Sequence, residues 1–241
     1  MCTVTLFRTS DNDFVLTSNR DEAPNRISLE PDFYNIENTT LLFPKDKVAG
    51  GTWIGVSEKN RVICLLNGGF KIHKRQPKYR VSRGVVTKDL LITDNIERCI
   101  ENYNFDDIEP FTVVVADWNS KLKFYELVWD GSNKHFTQLP LEPKVWSSST
   151  LYNPSMKAER LQWFDNYKNE NKLTSSSILN FHKTAGQNNN EYGVIMNRDT
   201  VKTTSITQVI KANSNINMRY ESLHNQSVST KTLQTPQIVN G

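Results

Sequence analysis

Apolar and polar residues alternate with a period of two in several short stretches of the chain, a pattern typical of strands with one buried face. Residues 3–7 alternate in this way, the polar run 10–13 predicts a turn, and residues 14–17 predict a return strand. The sequence therefore begins with an antiparallel hairpin. Residues 62–66 are almost continuously apolar, which predicts a strand buried on both faces with Cys64 in the core.

Apolar residues also recur with helical spacing in two pairs of segments, one on each side of a second predicted hairpin formed by residues 111–116 and 122–129. Helix pairs that bracket strands favour a layered α+β arrangement. The predicted helices run from Ser82 to about Ile92, from a cap at Thr93 or Asp94, from Pro154, and from a cap at Thr174 or Ser175 to about Lys183.

The length and composition of the chain are those of one domain with one core. With 241 residues, of which 37% are apolar, the chain can bury a substantial core, and we expect a single domain over residues 1–220. Residues 221–241 are rich in Ser, Thr, Gln and Asn and poor in apolar side chains. We expect them to form a flexible tail.

Several classes of function are disfavoured by composition and motifs. The net charge of +3 is too small to indicate a nucleic-acid partner. No segment has the length and apolarity of a membrane span, so we expect a cytoplasmic protein without stable membrane insertion. The three cysteines do not suggest a disulfide framework. No histidine or cysteine spacing indicates a metal, and no glycine motif indicates a nucleotide, so we expect no cofactor.

The first candidate for chemistry is Cys2, which follows Met1 directly. Removal of Met1 would leave a thiol and a free α-amine on one residue. Their reference pKa values are about 8.5 and about 7.7 to 8.0, so a fraction of each is reactive near neutral pH. Cys2 is therefore a candidate nucleophile that carries its own base. The alternative is a small apolar residue at the start of an edge strand.

Polar residues follow the predicted return strand, at Asn19, Arg20 and Asp21. If Cys2 lies near them across the hairpin, Asp21 can hold the ammonium form of its amine, and Arg20 can favour the thiolate or bind an anionic substrate. The alternative is a polar strand end whose Arg and Asp only stabilise the fold.

A second candidate site follows the buried strand 62–66, where Asn67 precedes Gly68 and Gly69. Glycines at such a strand end allow the backbone to approach a ligand closely. An Asn side-chain amide there can stabilise a developing oxyanion. Without neighbouring motifs, Asn67 would be interpreted as a turn residue.

A basic loop comes directly after this strand end. Between Lys71 and Arg83 the chain carries several lysines and arginines, including Arg80, and no acidic residue. One interpretation is a solvated loop, and the other is a positive rim that attracts a substrate with a carboxylate or phosphate. Such a loop can also contact anionic lipid, although it lacks an amphipathic helix.

Four blocks of sequence, in this order, resemble the NRDE family, the family of transport and Golgi organisation protein 2-like proteins. That family is similar to the N-terminal-nucleophile hydrolases of the penicillin V acylase and bile salt hydrolase type. The resemblance covers roughly residues 1–210, and the triplet 82–84 also fits it. The blocks are residues 1–5, 16–24, 50–56 and 65–69.

The resemblance implies an α+β fold, a four-layer αββα sandwich of two mainly antiparallel sheets. It implies that Cys2 is the nucleophile, that Asp21 falls on the aspartate that holds the nucleophile's amine, and that Asn67 falls on the asparagine of an oxyanion hole. The chain also departs from its relatives. Ser18 stands at an arginine of the acylases, Ser148 or Ser149 stands at an asparagine, and Thr204 stands at another arginine.

Together the residues and the resemblance predict a cysteine hydrolase of a non-peptide carbon–nitrogen amide bond, acting on a small and possibly anionic molecule through a thioester. Cys2, Asp21, Asn67 and Arg20 are the predicted catalytic residues. The alternative is a non-catalytic protein that binds or transports haem or an acyl group. The predicted substrate-binding residues are Asn19, Gly68, Arg80 and Arg83.

Overall fold

The computed structural model of the protein describes residues 3–234. Its strands are β1 (Thr3–Arg8), β2 (Phe14–Glu22), β3 (Ser28–Ile36), β4 (Thr39–Asp46), β5 (Ile54–Ser57), β6 (Arg61–Asn67), β7 (Phe111–Asp117), β8 (Lys123–Trp129), β9 (Lys134–Leu139), β10 (Lys144–Ser147), β11 (Lys202–Ala212), β12 (Asn215–Ser222) and β13 (Val228–Gln234). Its helices are α1 (Arg83–Ile92), α2 (Ile96–Asn102), α3 (Pro154–Glu170) and α4 (Ser175–Thr184).

The strands form two antiparallel sheets. The seven-stranded sheet follows chain order from β3 to β9, because each strand pairs with the next one along the chain. The six-stranded sheet has the order β10-β1-β2-β11-β12-β13. Its topology places the amino-terminal hairpin β1–β2 between two strands that are distant in sequence, and this arrangement builds the candidate site.

The core lies between the two sheets, and a helix layer covers each outer face. Phe14 of β2 packs its ring on Trp118 and Phe124 of the other sheet, at centroid distances of 5.3 and 6.3 Å. Phe7 and Val15 point to the opposite side, into a cluster with side chains of α3 and α4. Helix α1 packs on β5 and β6. The predicted αββα sandwich is therefore confirmed.

Most predicted element boundaries are confirmed, including the N-cap at Ser82, Pro154 in the first turn of α3 and the N-cap at Thr174. The predicted cap of α2 at Thr93 or Asp94 is wrong. Asn95 is the N-cap, because its side chain accepts a hydrogen bond of 2.9 Å from the Arg98 N–H.

The carboxyl-terminal segment also differs from the prediction of a flexible tail over residues 221–241. Residues 228–234 form β13, an edge strand that pairs with β12 along its whole length. Leu233 is the buried side chain of this strand, and the backbone ladder with β12 pairs all seven of its residues. A polar composition conceals such a strand, since backbone hydrogen bonds do not depend on apolar side chains. Residues 235–241 lie outside the described residues.

Within residues 3–234, no helix is long and apolar enough to cross a membrane. Cys64 is fully buried in the core between the sheets, as predicted. Burial raises the pKa of its thiol to about 12, against the opposing effect of a hydrogen bond with Ser18.

Candidate active site

The candidate site lies where β1 begins, at one end of the six-stranded sheet. Thr3 is paired with Asn19 of β2 on one side and with Ser147 of β10 on the other. On the far side of β2, Asp21 is paired with Thr203 of β11. The amino-terminal hairpin and two strands distant from it in sequence therefore meet at this strand end.

Strand β2 extends to Glu22, five residues beyond the predicted return strand, so its polar end is buried inside the sheet. Successive side chains of a strand point to opposite faces. Arg20 contacts Asp46 and Trp53 on the inter-sheet side, whereas Asn19 and Asp21 contact the elements on the helix side. The two charged residues of the motif therefore belong to two different networks.

The Arg20 network is centred on the carboxylate of Asp46. Arg20 Nη2 lies 2.7 Å from Asp46 Oδ2, and Arg26 Nε donates to the same oxygen at 2.8 Å. The Arg20 guanidinium also stacks on Trp53, 4.6 Å from the ring centroid. Burial lowers the pKa of Arg20, while the carboxylates of Glu22 and Asp46 oppose that shift. An arginine keeps its charge in such an environment.

The second oxygen of Asp46 holds the turn after β4. Asp46 Oδ1 accepts hydrogen bonds from the N–H groups of Val48 at 3.0 Å and Ala49 at 2.8 Å. Burial by itself would raise the pKa of Asp46, but the Ala49 N–H and the two arginines lower it overall. The Ala49 N–H and the two arginines therefore hold the Asp46 carboxylate in its ionised form.

The Asp21 network lies on the helix side of the sheet. The Tyr152 hydroxyl donates to Asp21 Oδ2 at 2.8 Å, and the Thr203 hydroxyl donates to Oδ1 at 2.6 Å. Asp21 is almost completely buried. Donors on both oxygens fix the orientation of the carboxylate.

Arg160 of α3 completes this network and was not predicted from the sequence. Its guanidinium donates to the Thr3 hydroxyl, to Ser147 Oγ at 3.0 Å and to the carbonyl of residue 192 at 2.6 Å. It also stacks on Tyr152, 4.0 Å from the ring centroid. Arg160 lies one helical turn after Met156 and one turn before Phe164. A cation on an apolar helix face could therefore have indicated a buried arginine from the sequence.

Asn19 is committed to a structural contact with α4. Its side-chain nitrogen donates to the carbonyls of His182 at 3.0 Å and Val194 at 2.6 Å, so its oxygen must accept from His182 Nδ1 at 2.6 Å. The Thr5 hydroxyl then donates to His182 Nε2 at 2.8 Å. Burial and the charge of Arg160 lower the pKa of His182 to about 3. This histidine is neutral and already carries one hydrogen bond on each ring nitrogen.

Asn67 ends β6 and is held by the segment that follows β10. Ser148 Oγ donates to the Asn67 carbonyl at 2.7 Å, and Ser149 Oγ donates to the Gly69 carbonyl. Gly68 between them has a φ of +86°, and a Cβ there would lie 3.0 Å from Thr150 Cγ2. The two serines therefore fix the turn that presents Asn67.

A cavity of about 560 Å³ opens on the inter-sheet side of this strand end. Arg20, Asn67 and Thr150 lie along it, with Trp53 and Leu65 as apolar wall. The basic loop borders the opposite side. Its lining residues are Ile72, His73, Arg75, Gln76, Pro77, Lys78, Tyr79, Val81, Ser82 and Arg83.

The two arginines predicted from this loop differ in position. Arg83 lines the cavity and forms an ion pair with Glu109 at 3.2 Å. Burial lowers the pKa of Arg83, and the charge of Glu109 opposes the shift. Arg80 instead donates to the carbonyls of Asn104 at 2.6 Å and Asp106 at 3.1 Å, away from the cavity lining.

The family model for Transport and Golgi organisation 2 matches residues 1–235. The chain belongs to this family. Comparison with curated proteins by sequence gives no match. The fold of this family member is nevertheless shared with solved structures.

A variant of the conjugated bile acid hydrolase from Clostridium perfringens is 11% identical, with a TM-score of 0.53 and 98% coverage of each chain. The Caenorhabditis elegans ortholog of N-acylethanolamine-hydrolyzing acid amidase is 13% identical, with a TM-score of 0.59 over 86% of this chain and 92% of that one. Penicillin V acylase from Agrobacterium tumefaciens is 9% identical, with a TM-score of 0.52 over 97% and 86%. These likenesses establish the fold.

In this member of the Transport and Golgi organisation 2 family, the structure brings Arg20, Asn67 and Arg83 to one cavity. Asp21 lies on the other face of the same strand, beside Tyr152 and Thr203. Gly68 is buried against the Ser149–Thr150 segment, and Asn19 and Arg80 make the contacts described above. Cys2 lies outside the described residues. Among those described, no group of three His, Cys, Asp or Glu side chains is placed to hold a metal.

Proposed function

We propose that the protein is an N-terminal cysteine hydrolase that cleaves a non-peptide carbon–nitrogen amide bond through a thioester. The observation that carries this proposal is the position of Thr3. The residue bonded to it is Cys2, and Thr3 lies between Asn19 and Ser147 at the strand end beside Arg20 and Asp21. In the proposal Cys2 acts at this end of the sheet, because consecutive Cα atoms are only about 3.8 Å apart.

The alternation of β1 supports a thiol on the cavity side. Val4 and Leu6 belong to the core between the sheets, whereas Thr3 and Thr5 contact Arg160 and His182 on the helix side. In the proposal this alternation holds for one further residue, and the Cys2 thiol shares the inter-sheet side with Arg20. The positive charge of Arg20 then favours the thiolate.

The proposed reaction divides the cleavage into two steps. The α-amine of Cys2 takes the thiol proton, and the sulfur attacks the amide carbon to form a tetrahedral oxyanion. The Asn67 side chain and a backbone N–H stabilise the oxyanion. When it collapses, the carbon–nitrogen bond breaks, and the leaving amine takes the proton from the α-ammonium group.

The second step releases the acyl group as a carboxylic acid. Water attacks the thioester, the α-amine removes a proton from it, and the thiol is re-formed. Asp21 is the proposed partner of the α-ammonium group, since its two oxygens are already oriented by Tyr152 and Thr203. The names of the three solved neighbours, a hydrolase, an amidase and an acylase, agree with chemistry of this class.

The lining of the cavity favours a small anionic substrate. Arg75, Lys78 and Arg83 face the opening from the basic loop, opposite Arg20 and Asn67. A cleft in which one sign of charge predominates concentrates ligands of the opposite charge. In the proposal, Arg83 contacts the anionic part of the substrate, and Gly68 lets the backbone approach its carbonyl.

The first experiment is intact-mass measurement of the purified protein before and after a mild thiol-reactive acylating probe. We expect loss of Met1 and a single label that is absent in Cys2→Ala. The other thiols react slowly, because burial raises the pKa of Cys64 to about 12 and also raises that of Cys99. A labelled wild type would then be screened against acylated amines and acylated amino acids.

Two results would contradict the proposal. One is a retained Met1 or an unlabelled Cys2, and the other is full hydrolysis of an identified substrate by Cys2→Ala. A non-catalytic ligand-binding function would then be tested by titration with haem. A saturable Soret shift that Cys2→Ser abolishes would support haem binding. The absence of a shift would rule out haem as the ligand.

A further inference from the structure

The two most exposed large apolar side chains among residues 3–234 lie at the border of the same cavity. Val48 is 79% exposed and Ile72 is 76% exposed. Val48 follows β4 and directly precedes Ala49, which lines the cavity, and Ile72 lines the cavity from the basic loop. Scattered exposed apolar residues are ordinary, but a pair that flanks a cavity mouth indicates an interaction surface.

Val48 is held in its exposed position by the Arg20 network. Asp46 Oδ1 accepts the N–H groups of Val48 and Ala49, while Oδ2 is fixed by Arg20 and Arg26. The turn is therefore anchored to a buried ion pair. Its apolar tip projects outward as part of a fixed structure.

Ile72 is held in a comparable way by its two neighbours. The Phe70 ring packs edge-on against His135 at a centroid distance of 4.9 Å. His73 Nε2 lies 3.3 Å from Glu109 Oε1, and the same carboxylate is paired with Arg83. Contacts before and after Ile72 thus anchor the loop, and the Ile72 side chain stays exposed to solvent.

The exposed charges around Val48 and Ile72 are positive. The three carboxylates of the cavity are already paired with nearby arginines. Glu22 and Asp46 pair with Arg20 and Arg26, and Glu109 pairs with Arg83. The exposed cations next to the two apolar tips are Lys47, Lys71, Lys74, Arg75 and Lys78.

We propose that this rim, formed by residues 47–49 and 70–78, docks on an anionic lipid bilayer. Apolar side chains that enter the acyl boundary and cations that contact acidic headgroups are the two components of interfacial binding. A soluble polyanion would use the cations alone and would give no role to Val48 and Ile72. The combination of both features favours the bilayer.

Docking in this orientation places the cavity mouth against the membrane. An acylated amphiphile can then pass from the bilayer toward Asn67 without crossing water. This second step rests on the proposed hydrolase function and specifies its substrate class as an acylated amphiphile. The proposed attachment is peripheral, through side chains of the rim alone.

The test is co-sedimentation of the purified protein with vesicles of phosphatidylcholine containing phosphatidylserine, and with vesicles of phosphatidylcholine alone. We expect sedimentation with the anionic vesicles only. Val48→Glu and Ile72→Glu each lower the partition coefficient about tenfold, because burial of the apolar side chain is lost. Lys71→Glu lowers it at least about fivefold. The matched control Leu161→Glu, at an exposed position on α3, keeps wild-type binding.

Two outcomes overturn the docking proposal. One is wild-type protein that stays in solution with anionic vesicles at low ionic strength. The other is salt-sensitive binding that Val48→Glu and Ile72→Glu leave intact. That result would show that the protein binds any negatively charged surface by charge alone. Cys2→Ala protein should sediment like the wild type. Sedimentation without hydrolysis of any acylated amphiphile would therefore reject the hydrolase and retain the docking surface.

Discussion

Arg20 and Asp21 are adjacent in sequence, yet their side chains lie on opposite faces of the six-stranded sheet. Arg20 pairs with Asp46 on the inter-sheet side, 2.7 Å away, and Asp21 accepts the Tyr152 hydroxyl on the helix side. β2 therefore supplies the Arg20 cation to the cavity and the Asp21 carboxylate to the hydrogen-bond network on the helix side of the sheet.

Loss of the Asp46 carboxylate is expected to destabilise the fold. Asp46→Ala leaves Arg20, whose side chain is 3% exposed, with only Glu22 at 3.6 Å as a carboxylate partner. Breaking such a buried pair lowers the free energy of unfolding by about 3 kcal/mol. Urea denaturation measures the change. Asp94→Ala, at an exposed ion pair with Lys59, serves as the control and should have almost no effect.

Stability should depend on the protonation of His182. The pKa of His182 is about 3 in the folded protein and about 6.5 in an unfolded chain, so only the unfolded state binds this proton between those values. Its contribution to stability is complete above pH 6.5 and is lost as the pH falls toward 3. The slope is at most about 1.4 kcal/mol per pH unit.

Urea denaturation at pH 7, 6 and 5 tests the His182 prediction. His182→Asn should reduce the slope, whereas Thr5→Val removes the hydrogen bond to Nε2 and keeps a buried, titrating imidazole. Thr5→Val is therefore expected to lose about 1 kcal/mol at every pH with the slope retained. An unchanged slope in His182→Asn would contradict the assignment.

The Asp21 network should act on the chemical step. Asp21→Asn preserves the shape of the side chain and removes the charge that is proposed to hold the Cys2 ammonium group. We expect kcat to fall at least about a hundredfold. Tyr152→Phe removes one donor to that carboxylate and should lower kcat about tenfold. Tyr192→Phe, which loses an exposed hydroxyl contact with Glu159, is the matched control.

A second readout separates this role of Asp21 from a structural one. The rate of Cys2 labelling should shift in its pH dependence in Asp21→Asn, because the charge next to the α-amine has changed. A labelling profile identical to that of the wild type, combined with lower stability, would show that Asp21 only supports the fold.

Asn67 should contribute to kcat with little effect on KM. Asn67→Ala removes the side-chain amide but keeps the backbone carbonyl that accepts from Ser148. Loss of one oxyanion donor costs about 100- to 1,000-fold in kcat. Steady-state kinetics on the substrate found in the screen measure the effect, with the surface variant Asn102→Ala as control. A rise in KM at constant kcat would instead assign Asn67 to substrate binding.

The two arginines of the basic loop give a paired test of anion recognition. Arg83→Gln removes a cation of the cavity and leaves Glu109 facing it, so KM for an anionic substrate should rise about tenfold, with a weaker dependence on salt. Arg80 is held by backbone carbonyls outside the cavity lining, so Arg80→Gln should change KM little. Equal effects of the two variants would support the sequence-based assignment of Arg80.

Local patterns in the sequence were sufficient for the helices, for some of the strands and for part of the site. The period-two runs predicted the amino-terminal hairpin, and the caps at Ser82 and Thr174 located α1 and α4, because each of these features depends on residues that are close in sequence. The position of Asn67 at the end of a buried strand followed from the apolar run before it and the glycines after it.

Contacts between distant segments required the tertiary structure. The role of Asn19 depends on His182 and Val194, and that of Arg160 depends on Thr3 and Tyr152, all of which meet only after the sheet is assembled. β13 exists because β12 offers it an unpaired edge, which composition does not reveal. The sequence by itself determined the amino-terminal hairpin, the buried strand before Asn67 and the starts of α1 and α4, because these are local properties. The tertiary structure alone decided which polar residues face the cavity, since strand pairing and the alternation of β2 place Arg20 in the cavity and Asp21 behind it.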